Sequence, residues 1–108
     1  MPKLVTLGLV QISMSPDREE NLSKALRMIE EAAKKGAQIV CLPELFATRY
    51  FPQTKKSSSK PEKIPGYTSN FLSRAAKKNK VVIVGGSIFE KDSKKRYNTS
   101  VVPDPHVG

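Results

Sequence analysis

The spacing of apolar residues switches back and forth between about two and about 3.6, the mark of strands alternating with helices. Lys3 to Ile12 reads as a first, largely buried strand, with Val10-Gln11 at its close. Leu22, Ala25, Leu26, Ile29, Ala32 and Ala33 then fall on one stripe at helical spacing. Ser15-Pro16-Asp17 supplies a helix start, either with Ser15 as cap before a proline at the first helical position or with Asp17 and Glu20 as a capping pair. Lys34-Lys35-Gly36 supplies the stop. Gln38 to Leu42 reads as a second strand, ended by Pro43 because proline cannot donate to a sheet ladder.

Residues 45–65 read as a long irregular connection, a length that is usually functional or disordered inside a small domain. Thr68 or Ser69 is expected to cap a second helix whose Phe71, Leu72, Ala75 and Ala76 face the core. Lys80 to Ser87 is a β-branched run and a third strand. Lys91 to Lys95 reads as a hairpin turn into a fourth strand over Arg96 to Val102. The order β-α-β-α-β-β predicts an α/β fold, with residues 1–108 belonging to a single domain and a terminal strand left as an open edge.

A single cysteine, Cys41, cannot form an internal disulfide, which points to an intracellular, cytoplasmic location. No apolar run approaches the roughly 20 residues that span a bilayer, so no membrane partner is expected. The net charge of +9 raises the question of nucleic acid. Its distribution argues against it. Residues 1–48 are neutral, while residues 49–80 hold nine basic side chains against one acidic, Glu62. Lys55, Lys56 and Lys60 lie among serines, as in a solvated loop, and Lys77, Lys78 and Lys80 end a helix, where cations offset the macrodipole. No aromatic residues alternate with the Ser-rich lysines to stack on bases. Glu62 reads as a solvated loop carboxylate.

The candidate chemistry lies at Leu42-Pro43-Glu44-Leu45-Phe46. Pro43 stops the strand and puts Glu44 at its carboxyl edge, where open α/β sheets place their ligand sites. The motifs around it follow in order: Asn21-Leu22 opening the first helix, Gly36-Ala37, Tyr50-Phe51-Pro52, Ile64-Pro65-Gly66, Gly85-Gly86-Ser87-Ile88 with Glu90, and Tyr97-Asn98-Thr99. Together they resemble the nitrilase, or carbon–nitrogen hydrolase, superfamily over essentially the whole chain, matching the amino-terminal part of its catalytic domain. The ω-amidases and N-carbamoyl-amine amidases are similar in these motifs. The resemblance implies a partial, truncated αββα sandwich of four layers and a homo-oligomer.

It also implies hydrolysis of a non-peptide C–N bond in a small-molecule amide, such as an ω-amide of a dicarboxylate, by a Glu-Lys-Cys triad without metal or organic cofactor. A thiol is mostly protonated near neutral pH, so a carboxylate must take its proton before it attacks. A lysine then offsets the charge of the oxyanion. By the resemblance Glu44 is the general base. Nothing in these 108 residues corresponds to the lysine or the nucleophile, so the chain alone is expected to be inactive. Cys41, set among Ile39, Val40 and Leu42, reads as a core thiol.

Arg49, Tyr50 and Phe51 follow Glu44 and are candidate substrate-binding residues, with ordinary loop packing the alternative. His106 has no Cys or His neighbour in sequence, and no metal site is expected. Pro103-Asp104-Pro105-His106 departs from the family pattern, because two prolines should disrupt a hairpin. Other readings are a catalytically dead subunit that pairs with another chain and, last, a basic nucleic-acid-binding module.

Overall fold

Asp17 starts the first helix. Its carboxylate accepts a hydrogen bond from the Glu19 backbone N–H at 2.9 Å, and Pro16 stays outside the helix. Of the two predicted starts, the cap at Asp17 forms, but Glu20 does not pair with it: the Glu20 carboxylate accepts from the Ser15 hydroxyl at 3.3 Å. Ser15 instead braces the cap, since its hydroxyl accepts from Asp17 N–H at 3.1 Å. The computed structural model describes residues 4–44, 46–47 and 61–105. Along them run β1 (Leu7–Leu9), α1 (Arg18–Lys34), β2 (Ile39–Cys41), α2 (Tyr67–Asn79), β3 (Val82–Val84), β4 (Ile88–Asp92) and β5 (Lys95–Thr99). Helix α1 ends as expected at Gly36, whose φ of +95° lets Gly36 and Ala37 return hydrogen bonds to Ala33 and Ala32.

The three strands β1, β2 and β3 are parallel and adjacent in that order, with Leu7, Ile39 and Val82 in one row. The next row holds Gly8, Val40 and Ile83, and the third Leu9, Cys41 and Val84. Side chains alternate faces along a strand, so the middle row points one way and the outer rows the other. The middle row lies under the helices. Val40 and Ile83 are fully buried with Leu22, Ala25, Ile29, Leu72, Ala75 and Ala76. A Cβ on Gly8 would come within 2.9 Å of the Ala32 methyl, so α1 packs on bare backbone there.

The opposite face is apolar in all six positions and is not covered among the described residues. Leu7 and Leu9 are 57% and 74% exposed. Cys41 belongs to this open face and is only partly buried, which corrects its expected place in the core. Parallel strands are ordinarily buried on both faces. Two layers of an αββα arrangement are therefore present, one of helix and one of sheet.

Two expectations fail along the third and fourth strands. The run from Lys80 to Ser87 does not continue in one sheet, because Gly86 turns at φ +53° and its N–H bonds back to the Val84 carbonyl at 2.8 Å. Beyond the turn, β4 pairs antiparallel with β5 from Ile88↔Thr99 to Asp92↔Lys95. The hairpin loop is thus Ser93-Lys94 alone, with Ser93 at φ 58°, the left-handed geometry that tight hairpins need. Lys91, Asp92 and Lys95 are strand, not turn. The order is β-α-β-α-β-β-β.

Pro103 does not disrupt the structure. After β5 the chain returns antiparallel to the free edge of β3, where the Val101 and Pro103 carbonyls accept from Gly85 and Ile83 N–H at 2.8 and 3.1 Å. A proline can accept there although it cannot donate.

Candidate active site

Glu44 follows the end of β2, the middle strand of the parallel sheet. Leu42 extends that strand by donating to the Val84 carbonyl at 2.9 Å, and Pro43 then ends it. The backbone before Glu44 is held by contact with Gly86. A Cβ at residue 86 would overlap the Pro43 carbonyl oxygen and lie 2.9 Å from that of Leu42. Glycine at 86 is therefore required twice, by its positive φ and by this approach.

The backbone after Glu44 is held by Asn21. That side chain is fully buried and satisfied: Oδ1 accepts from Ser15 N–H at 2.7 Å, and Nδ2 donates to the carbonyls of Ser15 at 2.7 Å and Ala47 at 2.9 Å. Phe46, in the same stretch of chain as Ala47, is fully buried. With both flanks fixed, the Glu44 side chain projects to an exposed position and meets β5 there. Asn98 Nδ2 donates to Glu44 Oε1 at 3.2 Å across 54 residues of sequence. The hairpin carrying Asn98 is braced by Thr99, whose hydroxyl donates to Glu90 Oε1 at 2.6 Å. Of the motifs noted in the sequence, the structure thus gathers Glu44, Gly85-Gly86 and Tyr97-Asn98-Thr99 at one end of the sheet. Arg49, Tyr50, Phe51 and His106 lie outside the described residues.

A carbon–nitrogen hydrolase family model matches residues 6–106. The chain belongs to the carbon–nitrogen hydrolase family. That match includes Pro103 to His106, so the two prolines fall within the family's span. Among curated relatives, omega-amidase NIT2-B of Xenopus laevis is 48% identical over 103 residues, covering 92% of this chain and 35% of that protein. Omega-amidase NIT2 of Homo sapiens is 41% identical over the same coverage. This carbon–nitrogen hydrolase chain therefore spans about a third of the length of the curated relatives it matches.

Solved structures agree on the fold. Nit3 of Saccharomyces cerevisiae, a member of branch 10 of the nitrilase superfamily, superimposes with a TM-score of 0.75 at 34% identity, over 94% of this chain and 40% of that one. A carbon–nitrogen hydrolase from Helicobacter pylori G27 gives 0.76 at 26% identity, over 94% and 36%. The chain is thus a partial αββα structure of the nitrilase superfamily that resembles ω-amidases.

Glu62 is not the solvated loop carboxylate expected. Its Oε1 and Oε2 accept from the backbone N–H and hydroxyl of Thr68 at 2.8 and 2.6 Å, with Arg18 at 3.9 Å. Its backbone joins β4, donating to the Phe89 carbonyl at 2.9 Å and accepting from Lys91 N–H at 2.8 Å. One residue thus ties α1, α2 and the hairpin together. Gly66, not Thr68 or Ser69, is the cap residue of α2, and its N–H donates to Ser69 Oγ at 2.7 Å. The signal that was available is the lack of any acidic residue in the first turn of α2, a place where helices favour negative charge.

Across the same corner the Tyr67 hydroxyl donates to Glu19 Oε1 at 2.5 Å, and this bond, with a smaller desolvation effect, raises the phenol above its ordinary range. Among the described residues no group of three His, Cys, Asp or Glu side chains is placed to hold a metal ion, and no helix is long and apolar enough to cross a membrane.

Proposed function

We propose that Glu44 is the general base of an amidase site, and that the complete protein hydrolyses a small ω-amide of a dicarboxylate through a cysteine thioester. The observation that carries this reading is the carboxylate at the end of the central strand, fixed on both flanks and held by Asn98. Membership of the family and the likeness to ω-amidases support the reaction and the substrate class.

In the reaction, Glu44 takes the thiol proton as sulfur bonds to the amide carbon. It then returns that proton to the departing nitrogen as the C–N bond breaks. For the second half it takes a proton from water as the water oxygen bonds to the thioester carbon. It passes that proton to sulfur as the C–S bond breaks, restoring the thiol and the carboxylate. The lysine and cysteine of this chemistry have no counterparts among these 108 residues. Cys41 sits on the open sheet face and is assigned no part.

The reading includes a cytoplasmic location and a homo-oligomer. The apolar face of the three-stranded sheet is the one that the second sheet of a complete αββα sandwich would cover, so it bears on the chain alone and not on how complete subunits pair. The test of the catalytic role joins these residues to the remaining length of the frog ω-amidase and measures hydrolysis of an ω-amide. Glu44→Gln keeps the shape but removes proton acceptance, and acylation is expected to fall by about 10²–10⁴-fold. Glu31→Gln, at an exposed surface pair with Lys35, is the silent control. Equal rates for Glu44→Gln and the parent would remove the catalytic role.

A further inference from the structure

We propose that Asn98 is a positioning residue for Glu44, holding one carboxylate oxygen so that the other remains the proton acceptor; this rests on Glu44 being the base. The carboxylate can only accept, so the Asn98 side chain must present its NH₂ to it. That amide reaches Oε1 at 3.2 Å, and among the described residues it makes the one hydrogen bond to the Glu44 carboxylate. A carboxylate free to rotate about its last bonds would spread its two oxygens over many directions. A single fixed donor removes that freedom and, among the described residues, leaves Oε2 without a donor.

The placement of Asn98 is itself built. Register pairs it with Phe89, and Thr99 next to it anchors to Glu90 at 2.6 Å. The outer side of β4 is in turn stitched to Glu62, which caps α2. The turn at Gly86 that starts the hairpin is the same residue that abuts Pro43. Donor and acceptor therefore hang from one joint, and each is held independently of the bond between them. A neutral amide suits the task better than a cation, because it orients the carboxylate without supplying a charge that would compete for the incoming proton's place.

Two measurements test this. In the chain as it stands, labelled with ¹⁵N, the Asn98 side-chain NH₂ signals should move when a carboxylate titrates, and that movement should vanish in Glu44→Gln while persisting in Glu90→Gln. Signals that stay fixed, or that move equally in Glu44→Gln, overturn the contact. In the protein joined to the remaining length of the frog enzyme, Asn98→Ala should lower acylation by about 10–100-fold, the scale of one hydrogen bond to a charged group. It should change the pH profile, leave KM nearly unchanged, and add nothing in a Glu44→Gln background. Full activity in Asn98→Ala beside a crippled Glu44→Gln overturns the positioning role and spares the base. Full activity in both, with the NMR contact intact, overturns the base and the positioning role with it. Asn98→Ser, which keeps a shorter donor, should recover part of the rate if donation is what matters.

Discussion

The carboxylate of Glu62 accepts twice from Thr68, once from its backbone N–H and once from its hydroxyl. It does for α2 what a capping side chain does, but from four positions before the cap residue Gly66. The side chain is 12% exposed, so both bonds are sheltered and charge-assisted. Glu62→Ala is therefore expected to destabilise the chain by about 2–3 kcal/mol and Glu62→Gln by about 1 kcal/mol. Glu31→Gln, at a surface pair, should stay within about 0.5 kcal/mol. Urea unfolding midpoints measure all three, and a Glu62→Ala midpoint equal to that of Glu31→Gln would show that the cap carries no weight.

Gly86 and Gly36 both adopt positive φ, but only one is crowded. A Cβ at Gly36 meets nothing within 4 Å, whereas at Gly86 it would overlap the Pro43 carbonyl. Gly36→Ala should cost about 1–2 kcal/mol, the left-handed penalty alone. Gly86→Ala should cost at least about 2 kcal/mol more, since backbone has to move. It should also abolish the dependence of the Asn98 amide signals on Glu44, which Gly36→Ala should leave intact. Similar unfolding midpoints for the two variants would argue that residues 43 and 86 are not in contact.

Self-association should run through the open sheet face. Leu7 and Leu9 stand on it at 57% and 74% exposure, so charge there costs little in folding. Leu9→Lys, alone or with Leu7→Lys, is expected to shift sedimentation toward monomer with helix content unchanged. Association that survives both substitutions would place the contact elsewhere.

Tyr67 should titrate late. Its hydroxyl bond to Glu19 favours the protonated phenol in the folded chain, so the folded value lies above the unfolded one near 10. The stabilisation is therefore complete below about pH 10 and is lost as pH rises through the folded value. Absorbance at 295 nm should show one phenol released at lower pH in Glu19→Gln than in the parent. Superimposable curves would mean that the bond does not form in solution.

Periodicity exposed what depends on local pattern. The stripe from Leu22 to Ala33 is a helix packed on the sheet, Gly36 ends it, and Pro43 ends β2. Local pattern failed where a partner distant in sequence decided the outcome. The β-branched run ending at Ser87 looks continuous, yet contact with Pro43 makes Gly86 a corner. Glu62 looks solvated among lysines, yet its chemistry is set by Thr68 and β4. For the site, the sequence offered Glu44 as the candidate base. It did not show Asn98 as the group that holds it, because an asparagine in a strand carries no sign of what it faces across 54 residues.

That separation also sets an order of events during synthesis. At about 5–20 residues per second, Asn98 is made roughly 3–11 s after Glu44. Until Val82 is reached, β2 has β1 available as a neighbour, but β3, the Gly86 corner and the hairpin do not yet exist. The carboxylate stands untethered while most of the segment is being made. Its setting is completed by a strand made 54 residues later.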